Sequence, residues 1–328
     1  MRVITSPGRW VWGVSGLVTV VALAVPGTRL ITSAGDPGNQ SAYPKPGMVT
    51  QTVTVSQPVT RLEVQSYGAP VQVTAGPVRH VQVTETIQGD PQDGGPPAVT
   101  QSVSGGRLTL ADPACSDSGC SVSFAVTVPP DVSVTAASGG GPVAVSGTAG
   151  ANLDSGGGLV RATGIHGPLT VSTEGGPLMV NDVTGPLYAD TGGGALGLYG
   201  LAGPPYANTG GGPLQAGAVA AATATAITGG GEARIGFTTA PDTVMVSTDG
   251  GPAALALPGG PYAVTADSDG GPELVGIAAD PAARHAITVT TGGGLLQVEP
   301  GTQPSASSAS SAPGGPPTPP TPPTPPGG

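Results

Sequence analysis

Residues 168–200 read PLTVSTEGGPLMVNDVTGPLYADTGGGALGLYG. Apolar residues and threonines alternate over short runs, and each run stops at a glycine-rich break. That is the pattern of short, half-buried strands joined by tight corners. The last glycines of the longer clusters are Gly141, Gly158, Gly176, Gly194, Gly212, Gly231, Gly251, Gly271 and Gly294, and their successive differences are 17, 18, 18, 18, 19, 20, 20 and 23 residues. Within the tightest part each step holds two half-units, as in PLTVSTEGG followed by PLMVNDVTG.

Placed in register, the repeats share one interior face. Val160, Leu178, Leu196 and Leu214 form one column, Ala162, Val180, Leu198 and Ala216 a second, and Ile165, Val183, Leu201 and Val219 a third. The other half-unit supplies Leu169 over Leu187 and Val171 over Ala189. A two-strand unit of this size cannot bury its apolar face alone, whereas stacked units bury it against one another. The fold class expected is all-β: a β-solenoid-like stack of glycine-cornered repeats, each about 18–20 residues long, with an N-terminal β cap region. Nine coils at the spacing of neighbouring strands would extend about 40 Å.

The corners explain the glycines. The marker glycine is preceded by glycine in every repeat, and the position before that is glycine except at Glu174, Asp249 and Asp269. Glycine there meets a need for positive φ or for close backbone approach. Two residues further back stand Asp154, Ser172, Asp190, Asn208, Ser247, Asp267 and Thr290, expected to cap each turn by accepting from its N–H groups.

The remainder of the 328-residue chain divides by composition. Residues 1–30 place Arg2 and Arg9 before an apolar run from Trp10 to Val25, the build of a signal anchor or, with cleavage near Ala22-Leu23-Ala24, of a signal peptide. The anchored form implies a single-pass membrane protein with its β-domain extracytoplasmic, and cleavage implies a secreted one. Residues 31–48 read as a linker and 49–135 as an N-terminal β-strand region of antiparallel character. The β-repeat domain occupies 136–299, and 300–328 form a disordered, proline-rich tail. Cys115 and Cys120 are the chain's two cysteines, and in an exported chain such a close pair is expected to form a disulfide.

With these features in this order, through CSVSFAVTVPPDVSV and then SGGGPVAV, EGGPLMV, TGGGALGL and TDGGPAAL, the chain resembles the bacterial putative-adhesin family of β-strand-repeat domains of unknown function. The resemblance covers roughly residues 50–299. It implies an extracytoplasmic repeat domain, often membrane-tethered and concerned with adhesion or envelope sensing, and it brings no catalytic residues. The proline-rich tail and the many GGP and GGG corners depart from usual members.

Little else points to chemistry. A net charge of −10 with ten Lys and Arg offers no basic stripe for phosphates, so nucleic acid is not an expected partner. Gly192, Gly194 and Gly197 fit G-x-G-x-x-G, but the residues that follow continue the strand rhythm instead of opening a helix. His80, His166 and His285 stand singly and read as surface turn residues. The acidic positions Asp154, Glu174, Asp190, Asp249, Asp267 and Asp269 could align on stacked coils toward a hard cation, yet most corners carry one acid or none, as solvated turns do. The expectation is a membrane-anchored β-repeat protein with a structural, adhesive or surface-interaction role in the cell envelope, without catalytic, cofactor or metal residues. Its expected partners are the membrane, through the N-terminal segment, and an envelope polymer or surface protein. The alternatives are an envelope polysaccharide-active enzyme, for which Tyr188, Tyr199 and Tyr206 are the aromatic candidates, and the sensor module of an envelope stress system.

Overall fold

The computed structural model describes residues 48–88, 99–112 and 120–301, all within a unit that begins at Lys45. The signal segment at 1–30, the linker up to residue 47, Cys115 and the proline-rich tail from residue 302 lie outside the described residues. Among the described residues every regular element is a strand, and the strands assemble into one sheet of 13 and one of 12.

A single coil shows how the sequence builds them. Gly150–Ser155 lies in the second sheet, the Gly156-Gly157-Gly158 corner turns the chain, and Val160–Ile165 lies in the first sheet. A second corner through Gly167 and Pro168 then leads to Leu169–Thr173, which pairs parallel to Gly150–Ser155. The expected register is borne out. Val160 pairs with Leu178, Leu178 with Leu196 and Leu196 with Leu214. Ala162, Val180, Leu198 and Ala216 align one step on, and Leu169 and Val171 face Leu187 and Ala189. All of these side chains are buried, in one core continuous along the stack.

The third column sits three residues after the second, not two, and a backbone device accounts for it. Gly147, Gly164, Asp182, Gly200 and Ala218 all have φ between 53° and 73°, so five successive coils carry a left-handed residue at the same height. This bulge turns Ile165, Val183, Leu201 and Val219 back to the core.

At the marker corner the demand on glycine is mainly one of space. A Cβ on Gly194 would run into the Gly176 carbonyl oxygen, one on Gly212 into that of Gly194, and one on Gly231 into that of Gly212. Each corner rests on the backbone of the corner beneath it. Asp267 caps as expected, its carboxylate accepting from Asp269 N–H at 3.1 Å, but in the other coils the caps lie one residue later. Asp154, Ser172, Asp190 and Asn208 point outward, while the buried neighbours Ser138, Ser155, Thr173 and Thr191 accept from Gly141, Gly158, Gly176 and Gly194 N–H at 2.9–3.0 Å. In later coils Thr209, Thr228 and Thr291 instead donate to the carbonyls of Gly212, Gly231 and Gly294 at 2.6–2.7 Å. Each hydroxyl thus satisfies a corner group that the strand ladders leave unmatched.

The antiparallel character expected before residue 136 holds for Met48–Val55 with Val81–Gln88, Val81–Gln88 with Ser121–Val128, and Thr100–Ser104 with Arg107–Ala111. It fails for Arg61–Ser66 and Val71–Ala75, which form a further parallel coil against Ser133–Ser138 and Val143–Ser146. Their corner has no glycine pair, but the buried Ser66 hydroxyl bonds to Ala69 and serves the same purpose. On its other side this coil pairs parallel with Arg107–Ala111 and Ser121–Val128. The C-terminal end is interleaved in the same manner. Ala286–Thr291 inserts between Thr243–Thr248 and Ala263–Asp267, and Leu296–Pro300 inserts between Ala253–Leu257 and Glu273–Val275.

Candidate functional site

The outward faces of the two sheets carry the polar side chains, and register decides which of them meet. On the second sheet Tyr188 and Tyr206 pair across neighbouring strands with ring centroids 5.0 Å apart and planes within 1°. Beside them Asn208 donates to Asp190 at 2.8 Å, and one coil earlier Ser172 donates to Asp154 at 2.5 Å. Asp154 and Asp190, expected as turn caps, are therefore spent on cross-strand hydrogen bonds along a ladder. Among the described residues no three of His, Cys, Asp and Glu gather as a metal site would require.

The first sheet carries a concavity that the sequence did not announce. Gln72, Ala144 and Arg161 lie side by side on adjacent strands, and Thr74, Ser146 and Thr163 lie side by side one step further along. Ala144 and Ser146 are short, so the longer flanking chains stand as walls around a depression of about 180 Å³. Arg161 forms no ion pair among the described residues, and its guanidinium donates to the Met179 sulfur at 3.7 Å. The side chains of Gln72, Thr74, Ser146 and Thr163 hold no hydrogen bond to the described residues, so a guanidinium, an amide and three hydroxyls face the trough with their bonding capacity unused. Elsewhere on the same sheet Tyr199 lies over glycine: a Cβ on Gly217 would meet its ring at 3.0 Å.

The other singled-out residues are dispersed. His80 and His166 are exposed, and the His166 carbonyl accepts from Thr184 in the next corner. His285 departs from the expected surface turn. It is largely buried, with Nδ1 2.9 Å from the Pro241 carbonyl and 3.4 Å from Asp242, and with its ring 5.8 Å from that of Tyr262. Gly192 and Gly194 form a coil corner and Gly197 lies within Leu196–Leu201, so the G-x-G-x-x-G match opens no helix. No helix among the described residues is long and apolar enough to cross a membrane.

No protein-family model and no curated protein matches the sequence. Solved structures do. A putative adhesin from Parabacteroides merdae aligns over 77% of this chain and 97% of its own length, with a TM-score of 0.52 at 14% identity. A putative adhesin from Parabacteroides distasonis covers 77% and 98%, with a TM-score of 0.48 at 14% identity. A protein from the same species described as a putative lipid binding protein covers 78% and 98%, with a TM-score of 0.47 at 12% identity. The resemblance read from the glycine-cornered repeats is thus upheld in three dimensions, and the chain shares the fold of the putative adhesin from Parabacteroides merdae.

Proposed function

We propose that this protein is a non-enzymatic surface-contact module of the cell envelope, held at the membrane by residues 1–30 and presenting its β-unit on the extracytoplasmic side. The observation that carries the reading is the pair of outward sheet faces. They bear mostly Thr, Ser, Asn, Gln and Ala in regular rows, and their acids are dispersed or tied to neighbouring hydroxyl and amide groups. Such faces suit contact over an area better than turnover in a cleft, where convergent and perturbed titratable groups would be expected. The basic flank before the apolar run supports the anchor. Closure of a Cys115–Cys120 disulfide belongs to the same reading, and so short a loop contributes about 2 kcal/mol.

The experiment is retention of the purified protein on intact bacterial envelopes, with the supernatant assayed for released polymer fragments over a long incubation. Saturable retention without release is expected. Release of fragments would overturn the non-enzymatic reading, and failure of a folded protein to be retained would overturn the contact reading.

A further inference from the structure

We propose that the trough on the first sheet is a binding site for a carboxylated sugar residue, the repeating unit of an acidic polysaccharide. This deepens the surface-contact reading and rests on it. Shape is the first argument. Ala144 and Ser146 leave a depression of about 180 Å³ between Gln72 and Thr74 on one side and Arg161 and Thr163 on the other. Its floor is strand backbone already engaged in the ladders, so side chains alone read the ligand.

Unused bonding capacity is the second argument. The polar row on the opposite sheet closes on itself through Ser172–Asp154 and Asn208–Asp190. The trough's amide and hydroxyls do not, and they are groups that can both donate and accept, as the hydroxyls of a sugar ring require. Charge is the third. In a chain with 20 Asp and Glu against ten Lys and Arg, Arg161 stands without a carboxylate, and none lines the trough. A thioether is a weak acceptor, so the guanidinium leaves Met179 at little cost for an anionic group that it can grip with two parallel bonds. A neutral sugar would leave that charge unused, and a bare phosphate would leave the hydroxyl rows unused. A ring bearing both hydroxyls and a carboxylate uses all of them.

The test is calorimetric titration of the full-length protein with galacturonic acid, a galacturonate hexamer, neutral maltohexaose and inorganic phosphate. Both galacturonates are expected to bind and maltohexaose is not, with affinity falling as salt is raised. Tighter binding of the hexamer would identify the polymer as the source of the sugar, and equal binding per unit would identify the free monosaccharide. Arg161→Gln should weaken binding by about tenfold or more, since it removes a charge-assisted pair. Ser146→Leu should fill the trough and abolish binding, whereas Arg234→Gln, on an arginine already paired with Glu232, should change nothing. Thr163→Val, nearly isosteric, provides a second variant should Ser146→Leu fail to fold, and it should weaken binding. Equal affinity for acidic and neutral oligomers, undiminished binding by folded Ser146→Leu or Thr163→Val, binding of phosphate alone, or no binding at all would each overturn the assignment. Retention on envelopes without any galacturonate binding would remove this ligand while leaving the contact reading in place.

Discussion

Among single residues, Ala218 carries a conformation that its chemistry disfavours. Its φ of 53° places a Cβ-bearing residue in the left-handed region, at a height where three of the other four coils use glycine and one uses Asp182. Left-handed backbone costs alanine about 1–2 kcal/mol, and glycine's extra freedom in the unfolded chain returns about 0.4–1 kcal/mol of that. Ala218→Gly is therefore expected to stabilise the protein by roughly 0.5–1 kcal/mol, read as a raised melting temperature. A lowered one would refute the strain argument. The same scale exposes what the sequence hid. The outward Asp154 and Asp190 looked like the caps because they belong to the residue types that commonly cap turns. The buried Ser155 and Thr191 do the capping in these coils, their inward hydroxyls accepting from the corner amides of Gly158 and Gly194. Alternation of faces, not side-chain type, was the usable clue.

Within an element, alternation has measurable consequences. Val180 is fully buried between Ala162 and Leu198, whereas Met179 looks outward. Val180→Asp should cost several kcal/mol by burying an unpaired charge, and Met179→Asp should cost well under 1 kcal/mol. Equal melting shifts for the two would show that the strand's faces are misassigned. On Val81–Gln88 the alternation places a carboxyl inside: Glu85 is 2% exposed, with Gln51 donating to it at 2.6 Å. Desolvation raises its pKa above the ordinary 4.5, and the Gln51 hydrogen bond offsets part of that rise. The folded state then holds the proton more tightly than the unfolded chain. Stability should fall as pH rises from about 4.5 through the raised value, and be regained on acidification. Glu85→Gln should remove that slope and raise stability at neutral pH, as denaturant titrations at several pH values would record. An unchanged slope would place the titration elsewhere.

At the scale of the β-unit, stacking makes the coils exchangeable. Pro177–Gly212 spans two coils and leaves Gly176 joined to Pro213, which restores a glycine-proline corner in register. Its deletion should leave a cooperatively folding protein whose denaturant m-value falls by roughly a tenth or more, in keeping with the surface lost. Loss of cooperative unfolding would argue against independent coils. This repetition is also why the middle of the stack was legible from sequence: each coil's neighbour in space is its neighbour in the chain. The parallel coil Arg61–Ser66 with Val71–Ala75 was not legible, because its partners at Ser133–Ser138 and Val143–Ser146 lie far along the chain. The trough shares that obscurity, since Gln72 meets Ala144 and Arg161 only through that long-range pairing.

The interleaved C-terminal end bears on how the molecule is completed. A chain that emerges N-terminus first can add coils in order as far as Ala253–Leu257, but the next segment, Ala263–Val275, has no place of its own on that edge. It docks only on Ala286–Thr291 and Leu296–Pro300, which are made later. Until residue 300 is out, the growing stack ends in open strand edges, and a segment carrying Leu274 and Val275 waits unpaired beside them. The last coil thus acts as a completeness check. A chain cut short before it presents proteases with a loose end, and in a finished chain that end is seated on the last coil as the outermost strand of each sheet.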